Sequence, residues 1–581
     1  MAPAWGGDNV VGRGHGSVQI EHPLENAGHA PVVNTGRRDG VRFLARSSLM
    51  ASWLFVGAAM AQPATAPTAG KLSPAAQDAA WQQASAKFAP QRKAILERVA
   101  KGANQGPFRS DWTSLQQYRS PAWYDDAKFG IFIHWGVYSV PAFGSEWYSR
   151  NMYQQGTKEF AHHVATYGPQ STFGYKDLVP LFKAEHFDPA AWAQLFHDAG
   201  ARYVVPVAEH HDGFAMYDSS LSDWTAVKKG PHRDVISQLE KAVRAQGMHF
   251  GVSSHRAEHD WFFDGGRKFD SDVNDPRNAE LYGPAVAHLS QDDQNLAADW
   301  TYVSQAWLDD WLARTAELID NYHPDIIYFD WWIGHPTFRN TLPTLLSYYY
   351  NEGATRDGVV VNYKLGDFPE GAGTLDIERG QLSGIHRTHW QTDTSISNES
   401  WGYIDHDTYK SPTFIIHLLV DVVSKNGNLM LNVGPRADGT IPQAAQDTLN
   451  SIGRWLKFNG EAIYGSKPWR TYGEGPTQVA GGSFQDVKTK PYTPQDFRFT
   501  TGNGKLYAIE LGWPATATVT IHSIKPTDAV TRVELLGDGS VVPFTQDAKG
   551  LHLRLPAHPV GTDAYVYRIT LSPPTSLKAA P

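Results

Sequence analysis

The strongest constraint on the fold is a regular alternation of short apolar runs with longer amphipathic segments, which begins near residue 75. Such alternation is typical of βα units, in which helices join parallel strands. Helices are predicted at residues 234–246, 305–322 and 414–425, where apolar side chains recur on one helical face. Eight strands are predicted, at residues 128–134, 202–210, 249–254, 325–330, 359–364, 374–378, 391–396 and 428–433. Eight units of this kind predict a closed (β/α)₈ barrel over residues 75–468.

A second domain is predicted after the barrel, because the pattern changes at residue 469. Apolar and polar residues then tend to alternate at residues 505–511 and 564–571, with turn residues between the runs and no amphipathic helix. A period of two residues indicates strands, and several such strands predict a β-sandwich over residues 469–575. The length of 581 residues agrees with two domains, since one hydrophobic core rarely serves more than about 300 residues.

The N-terminal residues 1–61 have the pattern of a leader with a signal peptide. Arginines precede an apolar run that starts at Leu49, and Ala59-Met-Ala61 provides a cleavage site. The run is too short to span a bilayer, which takes about 20 helical residues. We therefore expect export to the periplasm or the exterior, with no membrane attachment after cleavage. Residues 62–74 are rich in Pro, Ala and Thr and are predicted to be a linker.

Composition narrows the function. The chain has no cysteine, which excludes disulfides, thiolate metal sites and a cysteine nucleophile. A net charge of −9 with no basic patch gives no indication of nucleic-acid binding. No cofactor is expected. The 20 Trp, 25 Tyr and 26 Phe residues suit a sugar-binding protein as well as a large core, because aromatic rings stack on the apolar faces of sugars.

Polar residues at the ends of the predicted strands are the candidates for chemistry, because a barrel of this kind builds its active site at the carboxyl ends of its strands. Asp330 follows an apolar run and is flanked by aromatic residues, where an unpaired carboxylate is costly to bury. Helix capping or a structural ion pair is the alternative explanation for it. The residues that close strands are His134, His210, His211, Asp330, Lys364 and Glu378.

Two carboxylates on nearby strand ends are suited to acid/base-assisted glycosidic cleavage, in which one stays ionised and the other holds a proton. Asp330 and Glu378 fit this requirement, although Asp376, Asp393 and Glu146 are also available. The histidines could instead bind a metal. Hydrogen bonding to sugar hydroxyls is favoured over that role, because adjacent strand residues such as His210 and His211 point to opposite faces. No metal is expected.

The sequence resembles glycoside hydrolase family 29, the α-L-fucosidases, over residues 110–470. The matching motifs occur in the order found in that family: WYDDAKFGIFIHWG at 123–136, EWY at 146–148, HHDGF at 210–214, YFD at 328–330, SWGY at 400–403, NGNLMLNVGP at 426–435 and NGEAIY at 459–464. The resemblance implies a barrel followed by a β-sandwich, and a retaining enzyme that removes terminal α-L-fucose from glycans.

The resemblance also implies roles for individual residues. Asp330 falls on the nucleophile of the family. The residues expected to bind fucose are His134, Glu146, Trp147, His210 and His211, with Trp135 and Tyr148 as further packing candidates. The acid/base varies locally among relatives. It is expected to follow a basic residue at the end of the fifth strand, here Lys364, which makes Glu378 the candidate and Glu370 its competitor. Both Lys364 and His255 are expected to contact substrate.

Two positions depart from the pattern of similar proteins. Relatives often carry a tyrosine after the third strand, where this chain has His255. They often carry Trp-Glu where this chain has Trp390-Gln391, which removes one alternative acid. Three other functions stay open: a carbohydrate-binding protein without turnover, an α-L-galactosidase, and a transfucosidase. The expected partner is a fucosylated glycan, and the sequence leaves the oligomeric state open, a homo-oligomer included.

Overall fold

Eight parallel strands close into a barrel and follow one another around it in chain order. This computed structural model describes residues 72–290, 295–364 and 366–572. The ring closes where Phe129 of the first strand pairs with Leu429 of the last. The barrel strands are β1 (Phe129–Ile133), β2 (Tyr203–Glu209), β3 (His249–Ser254), β4 (Ile326–Phe329), β5 (Val360–Tyr363), β6 (Thr374–Glu378), β7 (Trp390–Ser395) and β8 (Gly427–Val433).

The predicted barrel is confirmed, and every predicted strand matches an observed strand to within one residue at each end. The strands are buried along almost their whole length, as parallel strands covered by helices must be, and this is why they appear in the sequence as continuous apolar runs. The polar residues that close several of these runs lie just beyond the hydrogen-bonded ladder. That position brings them to one mouth of the barrel.

The predicted helices are also present, and their ends are marked by capping residues. Asp234 accepts a hydrogen bond from the Ser237 amide at the start of the helix Val235–Ala245, and Ser304 accepts one from the Trp307 amide at the start of the helix Gln305–Tyr322. The helices are α1 (Pro74–Ser85), α2 (Ala89–Gly102), α3 (Trp112–Leu115), α4 (Ala122–Ala127), α5 (Tyr148–Asn151), α6 (Lys158–Tyr167), α7 (Tyr175–Leu178), α8 (Pro189–Asp198), α9 (Val235–Ala245), α10 (Ala279–Tyr282), α11 (Gln305–Tyr322), α12 (Leu342–Gly353), α13 (Pro412–Ser424) and α14 (Gln443–Asn459).

The interior of the barrel holds a polar network in addition to apolar side chains. The hydroxyls of Tyr124 and Tyr203 donate to Gln391 Oε1 over 2.7 and 2.9 Å. Gln391 Nε2 in turn donates to Asp376 Oδ1 over 2.7 Å. An amide can accept and donate at once, which a carboxylate cannot do. Gln391 therefore links the two tyrosines to Asp376 without adding a charge to the interior.

Two antiparallel sheets follow the barrel and enclose a second apolar core, which confirms the predicted β-sandwich. Their strands are β9 (Lys467–Glu474), β10 (Phe497–Gly502), β11 (Lys505–Glu510), β12 (Thr518–Ile521), β13 (Val530–Leu535), β14 (Phe544–Asp547), β15 (Gly550–Arg554) and β16 (Tyr565–Leu571). The five-stranded sheet has the order β13-β16-β11-β10-β9, and the three-stranded sheet has the order β12-β15-β14. The predicted boundary at residue 469 falls within β9 and stays a proposal.

A buried ion cluster joins the sandwich to the barrel. Arg498 on β10 donates to Asp421 Oδ1 on α13 over 2.6 Å, and Lys425 Nζ lies 2.6 Å from Asp421 Oδ2. All three side chains are at most 2% exposed. Trp455 on α14 adds a bond from its Nε1 to the carbonyl of Ala564 over 2.8 Å. The sandwich is thus fixed against the helices that flank β8.

The predicted signal peptide and almost all of the predicted linker lie outside the described residues. Only residues 72–74 of the linker are described, and α1 already begins there at Pro74, capped by Ser73. Within the described part of the chain, no helix combines the length and the apolar character that crossing a bilayer requires.

Candidate active site

The polar residues at the carboxyl ends of the barrel strands surround one cavity of about 470 Å³. Eight of the nine predicted site residues line it, and Lys364 does not. Histidines after β1, β2 and β3 form one wall, and the two predicted catalytic carboxylates, Asp330 and Glu378, follow β4 and end β6. The cavity is lined by Phe132, His134, Glu146, Trp147, His210, His211, His255, Glu258, Tyr328, Asp330, Trp331, Glu378, Asp393, Trp401 and Phe484.

Asp330 is held by two histidines. His255 Nδ1 lies 3.1 Å and His211 Nε2 lies 3.4 Å from the same oxygen, Asp330 Oδ2. Behind them, Ser253 Oγ lies 2.6 Å from His255 Nε2, and His211 Nδ1 lies 2.9 Å from the carbonyl oxygen of His255. Because a carbonyl only accepts, His211 Nδ1 carries a proton. The side chain of Asp330 is 19% exposed and therefore reachable from the cavity.

The charges around Asp330 favour its ionised form. Burial on its own raises the pKa of Asp330, but hydrogen bonds from His211 and His255 outweigh burial and hold this pKa well below the usual range. Burial lowers the pKa of His211, but the carboxylates of Glu258 and Asp330 reverse that effect and raise it to about 9. Burial lowers the pKa of His255 despite its bond to Asp330. At neutral pH, Asp330 is thus a carboxylate between a charged His211 and a neutral His255.

The environment of Glu378 favours its protonated form. Burial raises its pKa to about 7, and the negative charges of Asp330 and Asp393 add to this effect, while Lys364 opposes it. The indole Nε1 of Trp331 donates to Glu378 Oε2 over 2.6 Å and fixes the orientation of the carboxyl group. The same cavity therefore contains one carboxyl that stays ionised and one that holds a proton for about half of the time near neutral pH.

Lys364 lies beneath the cavity and not in it. It is completely buried, and its Nζ is 2.8 Å from Asp376 Oδ2, 3.4 Å from Glu378 Oε2 and 3.5 Å from Asp393 Oδ2. Burial lowers the pKa of Lys364, but these carboxylates outweigh burial and hold it well above its usual value. This position does not support the expected contact with substrate. Lys364 is instead a buried positive charge that lies close to three carboxylates, one of which is Glu378.

The histidine wall also includes the neutral rings of His134 and His210, and Glu146 lines the same cavity. His134 Nδ1 lies 2.8 Å from Asn432 Oδ1 on β8, an oxygen that only accepts, so that Nδ1 carries the proton. Burial holds the pKa of His134 and of His210 well below the usual range. Glu146 Oε2 accepts bonds from Ser400 Oγ at 3.1 Å and from the Trp401 amide at 2.9 Å. This wall thus offers both donors and acceptors to a polyhydroxylated ligand.

Three other residues that the sequence analysis considered for the site do not line the cavity. Trp135 is 2% exposed and donates to the carbonyl of Arg436 over 2.8 Å, and Tyr148 is completely buried; both belong to the core. Glu370 is exposed in a turn and does not line the cavity, whereas Glu378 does. Conversely, the cavity includes Glu258 and Phe484, which the sequence analysis did not mark, and Asp393, which it named only as an alternative carboxylate.

Two groups of side chains are close enough to share a metal ion. The possible ligand atoms of His134, His210 and His255, and those of His211, His255 and Asp330, lie within 4.8 Å of one another. Both groups need His255. Its two ring nitrogens already bond to Ser253 and Asp330, so a metal would have to displace one of these partners. The geometry favours a hydrogen-bonding role for these histidines.

Comparison with known proteins identifies the family. A family model described as "Alpha-L-fucosidase" matches residues 95–461. The chain belongs to the α-L-fucosidase family. A second model, described as "Alpha-L-fucosidase C-terminal domain", matches residues 490–570, which cover most of the strands of the sandwich. Both matches agree with the resemblance found in the sequence motifs.

Curated members of the α-L-fucosidase family match most of the chain. The tissue α-L-fucosidase of Rattus norvegicus is 33% identical over 485 residues, which are 81% of this chain and 93% of the rat protein. The human tissue enzyme is 33% identical over 474 residues, 80% of this chain and 91% of its own. The Thermotoga maritima α-fucosidase, solved in complex with fucose, superposes with a TM-score of 0.63 at 30% identity, covering 80% of this chain and all of that one. The chain is accordingly a glycosidase that acts on glycans.

Proposed function

We propose that this family member is an exo-acting, retaining α-L-fucosidase in which Asp330 is the nucleophile and Glu378 is the general acid/base. The observation that carries the proposal is the contrast between the two carboxyls in one cavity. Asp330 is kept ionised by His211 and His255, and Glu378 has its pKa raised to about 7. A retaining glycosidase needs this combination, with the two groups about 5 to 5.5 Å apart.

The first step forms a covalent intermediate. Asp330 attacks the anomeric carbon of the α-L-fucoside, and the bond from that carbon to the glycosidic oxygen breaks. Glu378 transfers its proton to this oxygen, so the aglycone leaves as a neutral alcohol. The product of the step is a β-fucosyl ester on Asp330, with Glu378 ionised.

The second step reverses the roles. Glu378 removes a proton from water, the resulting nucleophile attacks the anomeric carbon, and the ester bond to Asp330 breaks. Fucose is released in the α configuration, and both carboxyls return to their starting states. The charge on His211, 3.4 Å from Asp330 Oδ2, stabilises the carboxylate as it leaves.

The other cavity residues suit the binding of fucose. His134, His210 and Glu146 supply donors and acceptors for the ring hydroxyls, and the rings of Trp147 and Trp401 supply apolar surface for the ring and its C5 methyl group. An apolar surface around that methyl would disfavour an α-L-galactoside, which has a hydroxyl added there, by roughly 100-fold. Lys364 holds Glu378 from below and does not touch the sugar.

The test is release of nitrophenol from 4-nitrophenyl α-L-fucoside, with the corresponding α-L-galactoside as the specificity control. Asp330→Gly removes the nucleophile and is expected to lower kcat by about 10³-fold or more, and added azide should restore turnover with β-fucosyl azide as the product. NMR of the wild-type reaction should show α-fucose first. First-formed β-fucose would refute the retaining mechanism, and tight fucoside binding without turnover would favour a carbohydrate-binding protein.

We further propose that the chain is exported and cleaved after Ala61, on the strength of the basic, apolar and Ala-Met-Ala pattern that precedes that bond. N-terminal sequencing of the mature protein tests this. A first residue of Gln62 is expected, whereas recovery of the leader on the mature protein would contradict the proposal.

A further inference from the structure

Phe484 reaches the active-site cavity from outside the barrel. It belongs to the segment between β9 and β10, within a strap formed by residues 482–486. The strap is bound to the chain that continues from β6: the Phe484 amide donates to the carbonyl of Glu378 and the Gly482 amide to that of Gln381, both over 2.8 Å. The ring of Phe484 is therefore fixed to the same short segment that carries the proposed acid/base.

Phe484 holds a strained backbone conformation at the edge of the cavity. Its backbone has a φ of 57°, in the left-handed region that costs energy for any residue except glycine. The residue is 39% exposed, so it contributes little to the core. An exposed aromatic ring in a strained backbone position at the edge of an active site points to a ligand-binding role.

Phe484 and Trp331 form one aromatic surface. Their rings are nearly parallel, at 16°, with centroids 6.4 Å apart, and both line the cavity. Trp331 also donates from Nε1 to Glu378 Oε2. The surface therefore lies beside the carboxyl group that is proposed to protonate the glycosidic oxygen.

We infer that Trp331 and Phe484 bind the sugar that leaves, the residue to which fucose is attached. This inference rests on the proposed function, because it uses Glu378 as the acid. The leaving oxygen must lie within hydrogen-bond distance of Glu378, so the sugar that carries this oxygen lies on the Glu378 side of the cavity. The apolar face of a pyranose ring matches two nearly parallel aromatic rings.

A second cavity offers an alternative place for the leaving sugar. It measures about 220 Å³ and shares Trp331 with the first, and its other walls include Trp112, His335 and Asp367. A leaving sugar placed there would contact Trp112 and would not contact Phe484. The strap favours binding of the leaving sugar beside Phe484, because the Phe484 amide is hydrogen-bonded to the backbone carbonyl of Glu378.

The experiment compares two substrates that differ only in the leaving group. α-L-Fucosyl fluoride has no leaving sugar, whereas a fucosyl disaccharide has one. Phe484→Ala is expected to lower the ratio of kcat/KM for the disaccharide to kcat/KM for the fluoride by about tenfold, as loss of one aromatic contact implies. Phe484→Leu should lower the ratio as well, because it keeps an apolar side chain in the strap but removes the ring, and Phe484→Tyr should retain it.

The controls separate the possible failures. Phe458→Ala alters another exposed phenylalanine, outside the cavity, and should leave both rates unchanged. If the ratio is unchanged in Phe484→Ala, or if it falls in Trp112→Ala and not in Phe484→Ala, the inference is overturned while the proposed function stands. A wild-type protein that turns over neither fucosyl fluoride nor the disaccharide overturns the proposed function itself, and this inference with it.

Discussion

His255 Nδ1 lies 3.1 Å from Asp330 Oδ2, while its other ring nitrogen lies 2.6 Å from Ser253 Oγ. A neutral imidazole has one donor and one acceptor nitrogen. The serine hydroxyl can donate to Nε2, which places the ring proton on Nδ1, where it is donated to the carboxylate of Asp330. A completely buried serine thus sets the tautomer of the histidine that orients the proposed nucleophile.

Removal of this hydroxyl is expected to impair the nucleophile. Ser253→Ala should lower kcat/KM on an aryl fucoside by about tenfold, the value of one hydrogen bond. The acidic limb of the pH profile should move to higher pH, because a weaker bond to Asp330 raises the pKa of a group that must be ionised. Ser253→Thr keeps the hydroxyl and should restore most of the activity. An unshifted acidic limb in Ser253→Ala would contradict this role, and Ser254→Ala is the control at the neighbouring position.

The pKa of about 7 for Glu378 predicts the alkaline limb of the profile. The acid must be protonated in the first step, so kcat/KM should fall as pH rises through about 7. Asp393→Asn removes a negative charge that raises this pKa and should move the limb to lower pH. Lys364→Met removes the positive charge 3.4 Å from Glu378 Oε2 and should move the limb to higher pH. Shifts in the same direction for both variants would refute this electrostatic account.

The sequence predicted the parts of the site that follow from strand periodicity. Asp330, Glu378 and His134 each close an apolar run, and closure of the barrel brings the ends of all runs to one mouth. The same reasoning placed Lys364 in the cavity, because a pattern locates a strand end but does not show how deep a long side chain lies. Its burial is decided by Asp376 and Asp393, which attract it inward.

Other site residues had a weaker local signal or none. Asp393 was only an alternative carboxylate in the sequence, because it lies inside β7 and not at its end, where the strand-end rule does not select it. Phe484 comes from an irregular segment more than 100 residues after Glu378, and only tertiary hydrogen bonds to the β6 segment bring it to the cavity. A long-range contact of this kind leaves no periodicity in the sequence.

Lys128 makes folding stability depend on pH. It is completely buried, its Nζ has no hydrogen-bond partner among the described residues, and burial lowers its pKa to about 7. Since the unfolded chain retains a pKa near 10.5, the unfolded state binds more protons between pH 7 and 10.5, and stability rises with pH across this window. Below pH 7 the cost of charging the buried amine is fully present.

Replacement of Lys128 by an apolar residue should therefore stabilise the protein at low pH. Lys128→Met is expected to raise the free energy of unfolding by about 2 kcal/mol at pH 6, with a smaller gain at pH 9. Calorimetry at both pH values measures the difference through Tm. The exposed Lys93, paired with Glu97 at 2.9 Å, is the control, and Lys93→Met should change Tm little. An equal gain at pH 6 and pH 9 would exclude titration of Lys128 as the cause.

The contact between barrel and sandwich depends on the pairing of Arg498 with Asp421. Arg498→Met leaves Asp421 buried with Lys425 as its remaining cationic partner, and breaking such a cluster is expected to cost about 3–5 kcal/mol. The Tm should fall by several degrees. The matched control is Arg532→Met, because that arginine is 54% exposed and its bond to Glu534 contributes little. If Arg498→Met and Arg532→Met lower the Tm equally, the interface is stabilised by its apolar contacts and the buried ion pair contributes no net stability.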